Sequence, residues 1–590
     1  MKFLGNVLAT IIGLFIFLML LFFGIIIIGA IFGGSSKSVI VKDNSVIELN
    51  LDKVTNDYAG KFIYEDYSFL NSEETNGLSD VINAIAIAKT DKKIKGISLL
   101  NTSTMLGMAQ SKALRDQLID FKKSGKFVVS YSNAYSQKEY YLNSIADTVY
   151  LNPIGELDFK GLSSEMMYYK DFQDKSGLKM EVIRHGKYKS AVEPYLANEM
   201  SPENREQISV LLKSVWNSMA QDISISRKIS LDSLNSYADH LSARTPEMAK
   251  SKHLIDKIGY EDEYHAGIKK ALKVDQKDDY NVIDILDYVS DIALTSKGES
   301  GKDGNIAIIY AQGVILGGEG DVNVIGEGSM RRSLQEASKD KDIKAIVLRI
   351  DSPGGSALTS ELIWREIELA KKTKPVIVSM GNLAASGGYY IACNANKIFA
   401  EPNTITGSIG VFGTLPNVTG LTDKLGIHTE VVKTHENSAG YSIFKPLDEN
   451  YKEVVQESIE NIYTTFVNRV AKGRNMTFDQ VDAIAQGRVW TGADAIKIGL
   501  IDKIGGLDAA IKEAATMAKI KEYKTINFPE YEKDFQGILS NLSGSPFSKT
   551  KEEFIKEEIG EENYLVIQQM RRLSSQKGLQ TLMPFEININ

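Results

Sequence analysis

One serine lies among very small residues, in a setting that suits nucleophilic chemistry. Ser386 is part of Ala384-Ala385-Ser386-Gly387-Gly388, which follows a predicted buried strand at Pro375–Ser379. Small neighbours leave a hydroxyl accessible at a helix start, where free N–H groups and the helix dipole favour a developing oxyanion. A plain glycine-rich turn would show the same residues. The motif therefore makes Ser386 a candidate nucleophile and no more.

A second glycine pair could supply an oxyanion hole. The run Asp351-Ser352-Pro353-Gly354-Gly355 directly follows a predicted strand at Ala345–Ile350. A glycine pair there lets backbone N–H groups turn towards a bound group. An ordinary strand-to-helix turn is the competing interpretation. The oxyanion candidates are Gly354, Gly355 and Gly387.

The chain also contains an internal repeat. When the sequence is compared with itself at an offset of 249 residues, the two copies match without gaps. The match runs from Asp91 and Asp340 to Val182 and Val431. Matching pairs include Lys92 and Lys341, Ser130 and Ser379, Asn133 and Asn382, Tyr140 and Tyr389, Pro153 and Pro402, and Gly177 and Gly426. A constant offset over such a stretch indicates duplication, and so long a period indicates two domains rather than a solenoid.

The two copies differ at the candidate motifs. The N-terminal copy has Met105 and Leu106 where the other has the glycine pair, and Tyr135–Glu139 replaces Ala384–Gly388. One residue with possible chemistry is instead found only in the N-terminal copy: Lys189 aligns with Ser438 of the C-terminal copy. A lone lysine is normally a solvated surface residue, so the residues alone assign Lys189 no role.

Strands and helices alternate in each copy, which predicts an α/β fold. In the C-terminal copy, strands are expected at Ile306–Tyr310, Ala345–Ile350 and Pro375–Ser379, with helices at Ser356–Lys372 and Tyr389–Ala395. The predicted organisation is a short tail (1–6), an anchor (7–33), an N-terminal repeat (40–295), a C-terminal repeat (304–535) and a C-terminal tail (536–590).

Residues 7–32 carry no charge and are dominated by Ile, Leu and Phe. Such a run spans about 30 Å of hydrocarbon at about 1.5 Å per residue. A secretory signal has a shorter apolar region and ends at a small-residue cleavage site. The segment therefore predicts an uncleaved transmembrane helix, although charge alone does not settle its orientation.

Composition argues against several classes of protein. The net charge is -8 with no basic stripe, which disfavours nucleic acid as a partner. The single cysteine, Cys393, excludes an intrachain disulfide and is expected in the core. The six histidines form no metal-binding spacing, so a structural zinc site is not expected.

Taken together, these motifs resemble the S49 peptidase family in its long, duplicated form. The resemblance covers essentially the whole chain. It rests on the N-terminal anchor, the two homologous copies, the DSPGG and LAASGGYY runs, Thr404–Val411, and Gly186–Pro194 with its GKYKSAVEP sequence. It implies Ser386 as nucleophile, Lys189 as general base and Ser408 as a hydrogen-bond partner of the lysine.

The same resemblance implies fold, partners and location. Each repeat should be a crotonase-like domain related to the Clp protease subunit, and the chains should form bowl-shaped homotetramers. The substrates should be signal peptides that remain in the membrane after preprotein processing, or other apolar extended peptides. The protein should be held in the lipid of the bacterial inner membrane by one span, with its catalytic part on the periplasmic side. No cofactor or metal is required.

Three alternatives stay open. A Ser-His-Asp triad could use His428 or His435, which lie downstream of Ser386. The crotonase resemblance also allows acyl-CoA chemistry, with the glycine-rich loops as oxyanion hole. A non-catalytic membrane scaffold is the third. A lysine can act as the base only if burial lowers its pKa from about 10.4, and that depends on its surroundings in the folded chain.

Overall fold

The computed structural model describes residues 10–24, 41–63, 72–296, 305–532 and 580–582. Residues 297–303 between the two predicted repeats, most of the C-terminal tail and the ends of the predicted anchor lie outside these residues.

Within the described residues, the N-terminal copy contains nine strands. They are β1 (Ser45–Glu48), β2 (Lys61–Ile63), β3 (Ser72–Glu73), β4 (Ile94–Leu100), β5 (Phe127–Tyr135), β6 (Thr148–Leu157), β7 (Lys179–His185), β8 (Lys257–Ile258) and β9 (Asn281–Asp284). The helices up to this point are α1 (residues 10–24), α2 (Leu78–Ala88), α3 (Met108–Lys122), α4 (Gln137–Asn143), α5 (Lys170–Ser176), α6 (Glu193–Leu196), α7 (Pro202–Arg227), α8 (Leu231–Asp239), α9 (Pro246–Ser251), α10 (Glu261–Leu272) and α11 (Ile285–Ser296).

The C-terminal copy follows the same plan. Its strands are β10 (Ile306–Gln312), β11 (Val314–Leu316), β12 (Gly320–Asp321), β13 (Val324–Gly326), β14 (Ala345–Ser352), β15 (Gly354–Ser356), β16 (Val376–Ala385), β17 (Lys397–Ala400), β18 (Ile405–Gly407), β19 (Val411–Asn417), β20 (Val489–Thr491), β21 (Lys503–Ile504), β22 (Thr525–Phe528), β23 (Glu530–Glu532) and, in the tail, β24 (Gln580–Leu582). Its helices are α12 (Glu327–Lys339), α13 (Ala357–Ala370), α14 (Gly387–Ala392), α15 (Thr419–Lys424), α16 (Glu449–Arg474), α17 (Phe478–Ile484), α18 (Gly492–Ala495) and α19 (Leu507–Met517).

Each copy is built on a parallel sheet, and the two sheets share one strand order. The first sheet runs β8-β6-β5-β4-β1-β9, and the second contains the equivalent path β21-β17-β16-β14-β10-β22. The predicted duplication and α/β class are confirmed. The strand predicted at Pro375–Ser379 is real but continues to Ala385, so it leads directly to the candidate nucleophile.

Helices cover both faces of the second sheet. Every residue of β10 is buried, as is typical of a parallel strand between two layers. Side chains alternate along the strand: Ala307 and Ile309 pack into one hydrophobic cluster, and Ile306 and Ile308 pack into another on the opposite face. The core thus fixes the strand ends that carry the motifs.

A third sheet joins the two copies. Its order is β12-β13-β11-β15-β24-β19-β7. Strand β7 comes from the N-terminal copy and pairs antiparallel with β19 of the C-terminal copy, from Lys179 opposite Asn417 to His185 opposite Val411. Backbone hydrogen bonds therefore fix the register of one copy against the other.

The N-terminal segment forms a helix over residues 10–24, the part of the predicted anchor that the structure describes. Among the described residues, no helix has both the length and the hydropathy that a membrane crossing requires.

A buried ion pair also connects the two copies. The Arg349 guanidinium contacts the Asp57 carboxylate at 2.6 Å, and the two side chains are 4% and 3% exposed. Arg349 also donates to Ser379 Oγ and to the Met380 carbonyl, while Gln110 donates to the other oxygen of Asp57. A charge buried this deeply depends on its partner, because neither can return to water.

Asp57→Ala should lower the free energy of unfolding by about 3–5 kcal/mol, because it leaves the Arg349 charge buried and unpaired. Urea unfolding followed by circular dichroism measures the change. Adding Arg349→Met should recover part of the loss. The control is Glu449→Ala, which breaks an exposed pair with Lys452 and should cost less than about 1 kcal/mol. No recovery in the double variant would contradict this account.

Candidate active site

Ser386 occupies a strained turn between strand β16 and helix α14. Its backbone has φ 55° and ψ -115°, a conformation that is uncommon for a residue with a side chain and that recurs at functional sites. Its N–H donates to the Gly407 carbonyl at 2.8 Å, and its carbonyl accepts from Tyr390 N–H. In known hydrolases a sharp strand-to-helix turn of this kind presents the hydroxyl of a nucleophilic serine.

The pairing of β16 with β18 brings Ser408 beside Ser386. Ala384 lies opposite Thr406 and Ala385 opposite Gly407, so the two serines follow the last paired residues of neighbouring parallel strands. Ser408 also has a positive φ of 52°, and its N–H donates to the Arg488 carbonyl at 2.7 Å. Sheet register therefore sets the position of both hydroxyls.

Lys189 reaches the same place from the other copy. It lies four residues beyond the end of β7, whose pairing with β19 aims the following loop at Ser386. Lys189 Nζ is 2.8 Å from Ser386 Oγ, 3.0 Å from Ser408 Oγ and 3.1 Å from the Ser408 carbonyl oxygen. The structure thus brings together Ser386, Lys189 and Ser408, the three residues expected to act together.

The surroundings of Lys189 favour its neutral form. All three residues have no exposed surface, and the oxygens that Nζ contacts are uncharged. Burial lowers the pKa of Lys189 well below its ordinary value, with no carboxylate among the described residues to oppose the effect. Two N–H groups can donate to the oxygens of Ser408, which leaves the nitrogen lone pair directed at the Ser386 hydroxyl.

Two glycines form the wall against which Lys189 lies. A Cβ on Gly487 would come within 2.6 Å of Lys189 Cβ and N, and one on Gly410 would lie 3.2 Å from its Cδ. Gly487 also has φ +82°. Neither residue was assigned a role from the sequence, although Gly410 lies within the Thr404–Val411 run, because a glycine gives no sign of which side chain packs on it.

Helix α7 holds the lysine loop from behind. Gln207 donates to the Tyr188 carbonyl at 3.1 Å and to Ser190 Oγ at 2.9 Å, on either side of Lys189. Its side-chain oxygen accepts from Val489 N–H of the C-terminal copy. One buried amide therefore ties the loop to both copies, a second contribution that the sequence motifs did not indicate.

The oxyanion candidates lie next to Ser386. Gly354 and Gly355 begin β15, which packs against α14, and Gly387 is the first residue of that helix. A Cβ on Gly355 would lie 2.0 Å from the Ile315 carbonyl oxygen, so only glycine fits. Gly354 N–H donates to Ser352 Oγ at 3.1 Å. The structure groups the three glycines at one end of the site.

Asp351 links this loop to the strand that carries Ser386. Its side chain accepts from Leu383 N–H at 2.8 Å and from the Asn382 amide at 3.1 Å. Burial and the nearby Asp57 charge raise the pKa of Asp351 to about 7. Asn382 in turn accepts from Gln110 N–H of the N-terminal copy. The end of β16 is thus held by both copies.

The histidines considered for a triad lie elsewhere. His428 and His435 belong to an exposed stretch of the chain, and His435 Nδ1 contacts Thr434 Oγ1. Ser386 Oγ instead contacts Lys189. Cys393 is buried, as expected, and burial raises the pKa of its thiol to about 12.

The chain matches a known protein family. The model of the family described as Peptidase family S49 matches residues 120–275 and 368–521, one match in each copy. The chain belongs to peptidase family S49. Membership in a peptidase family decides against the acyl-CoA enzyme and the non-catalytic scaffold.

Individual relatives support this conclusion. Protease 4 of Haemophilus influenzae is 35% identical over 541 residues, which cover 89% of this chain and 88% of the relative. A protein of Arabidopsis thaliana named Serine protease SPPA, chloroplastic, is 34% identical over 80% of this chain and 71% of its own. A putative signal peptide peptidase SppA of Enterococcus faecium is 36% identical over 37% of this chain and 62% of its own. The chain is a serine protease.

Among solved structures, a mutant of ClpP1 from Listeria monocytogenes matches 35% of this chain and 94% of its own, with a TM-score of 0.24 and 15% identity. So low a score does not establish a common fold. The α/β architecture follows from the strand order of the two sheets, and the crotonase-like relationship stays a prediction.

Gly487→Ala should reduce peptidase activity, because its new methyl group would push Lys189 away from Ser386. The matched control is Gly426→Ala, at a glycine with a similarly positive φ of +70° but no atom within 4 Å of the added Cβ. In both variants an alanine must adopt a positive φ, which lowers the stability of the fold by about 1 kcal/mol. Hydrolysis of a chromogenic peptide and the melting temperature measure the two effects. Equal activity in the two variants would contradict the packing argument.

Proposed function

We propose that this chain is a membrane-anchored serine endopeptidase with a Ser–Lys dyad, which degrades signal peptides left in the membrane after preprotein processing. The main support for the proposed dyad is the 2.8 Å contact between Lys189 Nζ and Ser386 Oγ. Both residues are fully buried, and the oxygens around the lysine nitrogen carry no charge. A neutral amine there can accept the serine proton.

The first half of the reaction forms an acyl-enzyme. Lys189 takes the proton of Ser386 as Oγ attacks the carbonyl carbon of the scissile peptide bond. The negative charge then develops on the carbonyl oxygen, where backbone N–H groups among Gly354, Gly355 and Gly387 are the candidates to stabilise it. The Gly354 N–H would first have to release Ser352 Oγ, to which it donates. As the tetrahedral intermediate collapses, the lysine passes its proton to the leaving amine, and the C–N bond breaks.

The second half releases the acyl group. A water molecule loses a proton to Lys189 and attacks the ester carbon, and Ser386 leaves with that proton. Ser408 positions the lysine throughout, because its two oxygens accept the N–H groups that would otherwise turn towards the nucleophile. The scheme needs one base that cycles between neutral and charged forms, and no cofactor.

The substrate class rests on the relatives and on the N-terminal sequence. One relative is named a signal peptide peptidase, and residues 7–32 of this chain are apolar and uncharged. We propose that this segment anchors the protein in the inner membrane with the catalytic domains in the periplasm, where apolar extended peptides remain after processing, and that four chains assemble into one oligomer.

Ser386→Ala and Lys189→Ala should each reduce hydrolysis of a synthetic apolar signal-peptide segment by about 10³-fold or more, with thermal unfolding nearly unchanged. The double variant should be no worse than either single variant, because residues that act as one unit are strongly non-additive. Turnover by mass spectrometry of the peptide products measures this.

The matched control is Lys187→Ala, since Lys187 is a nearby lysine with an exposed side chain, and it should keep most of the activity. If Lys189→Ala retained near-wild-type turnover while His435→Ala lost it, the dyad would be replaced by a triad.

The kcat/KM of the wild-type enzyme should rise with pH through the pKa of Lys189, because the protonated amine cannot accept the serine proton. Since burial lowers this pKa, the rise should occur well below about 10.4, the ordinary value for lysine. A pH–rate profile measures it. An acid limb that disappears in His435→Ala would show that the titrating base is a histidine.

A further inference from the structure

A buried carboxylate lies four residues beyond Lys189. Glu193 begins α6 and is only 5% exposed. Its Oε2 atom accepts from Asn204 Nδ2 at 2.5 Å, and its Oε1 atom accepts from Ser201 N–H at 3.3 Å. Ser201 caps helix α7, and Asn204 lies in the first turn of that helix. Glu193 therefore ties the segment that follows the lysine to the start of α7, and the proposed reaction gives this carboxylate no role.

The contact with Glu193 begins a chain of hydrogen bonds that ends at the lysine loop. Asn204 Oδ1 accepts from Gln207 Nε2 at 3.2 Å, and the same nitrogen donates to the two residues that flank Lys189. Asn204 and Gln207 are both buried, so bulk water does not offer them other partners. We call Glu193, Asn204 and Gln207 the relay, because they connect a buried carboxylate to the residues on either side of the base.

The carboxylate sets the direction of the relay. An ionised carboxylate can only accept hydrogen bonds, so the Asn204 amide turns its nitrogen to Glu193 and its oxygen to Gln207. Gln207 then donates with its nitrogen, and its oxygen is left to accept from Val489 N–H of the C-terminal copy. A neutral amide in place of Glu193 could present either an oxygen or a nitrogen. The direction of every later hydrogen bond would then no longer be fixed from this end.

We propose that Glu193 and Asn204 are positioning residues for Lys189, because they fix the direction of the relay and the relay holds the lysine loop against Ser386 of the other copy. This inference rests on the proposed function, since it takes Lys189 as the base. The group of the relay that contacts the loop is the neutral Gln207 amide. Burial lowers the pKa of Lys189, with no carboxylate among the described residues opposing it. The Glu193 carboxylate thus orients the loop without favouring the protonated amine.

Glu193→Gln keeps the size of the side chain but adds a donor. Two donors then face each other in the relay or at Ser201, and such an unmet buried contact should lower kcat/KM by about tenfold. KM should change little, because the relay contacts the residues that flank Lys189 and not the reacting atoms. The rise of kcat/KM with pH should move to higher pH, because a looser loop admits water to the amine. Glu199→Gln, the same change at an exposed residue of this segment, is the matched control. Wild-type kcat/KM in Glu193→Gln would overturn the proposal.

The double variant Glu193→Gln/Asn204→Asp exchanges the donor and the acceptor. The new carboxylate accepts from the new amide and from Gln207, so each hydrogen bond of the relay is kept, and an acidic group in the first turn of α7 is favourable. Its kcat/KM and pH profile should return to within about threefold of wild type. Asn204→Asp alone brings two carboxylates into contact and should lose activity. A double variant that is unfolded, inactive or no better than Glu193→Gln would show that the proposal is wrong.

Hydrogen exchange separates this inference from the proposed function. Tyr188 N–H donates to the Gln486 carbonyl, and Ser190 N–H donates to the Tyr188 carbonyl. In an inactive Ser386→Ala background, mass spectrometry should show these amides exchanging about tenfold faster with Glu193→Gln and slowly again in the double variant. Unchanged exchange would contradict the proposal. If the wild-type chain cleaved no peptide, or if Lys189→Ala stayed active, the proposed function would fail, while the exchange rates would still decide whether the relay holds the loop.

Discussion

The proposed dyad depends on one constraint: a lysine can serve as a base near neutral pH only if its surroundings disfavour its charge. The structure meets this constraint with full burial, neutral oxygen partners and glycines against the aliphatic stem of Lys189. A neighbouring carboxylate would instead favour the charged amine. The need to keep one amine out of water therefore explains why the pocket is closed, glycine-lined and free of charged partners among the residues that contact Nζ.

Such a pocket lies between the two copies. The C-terminal copy contributes Ser386, Ser408 and the glycine wall, and the N-terminal copy contributes Lys189 and the Gln207 amide behind it. Enclosing the amine this way requires a fixed register between the copies. The pairing of β7 with β19 and the buried Asp57–Arg349 ion pair provide that register, so the interface between copies has a chemical as well as a structural role.

The third sheet combines two tasks. It joins the copies through the pairing of β7 with β19, and it holds the tail strand β24 between β15 and β19.

The sequence by itself determined the duplication, the α/β class and the serine and glycine motifs, because these depend on local periodicity and on residues close together in the chain. It also indicated where the copies diverged, at Ser386 and Lys189, although only the family resemblance gave Lys189 a role. The tertiary structure decided the rest. Glycines such as Gly487, the Gln207 amide and the strand at Gln580–Leu582 act through partners distant in sequence, and sheet register and burial do not appear in a local pattern.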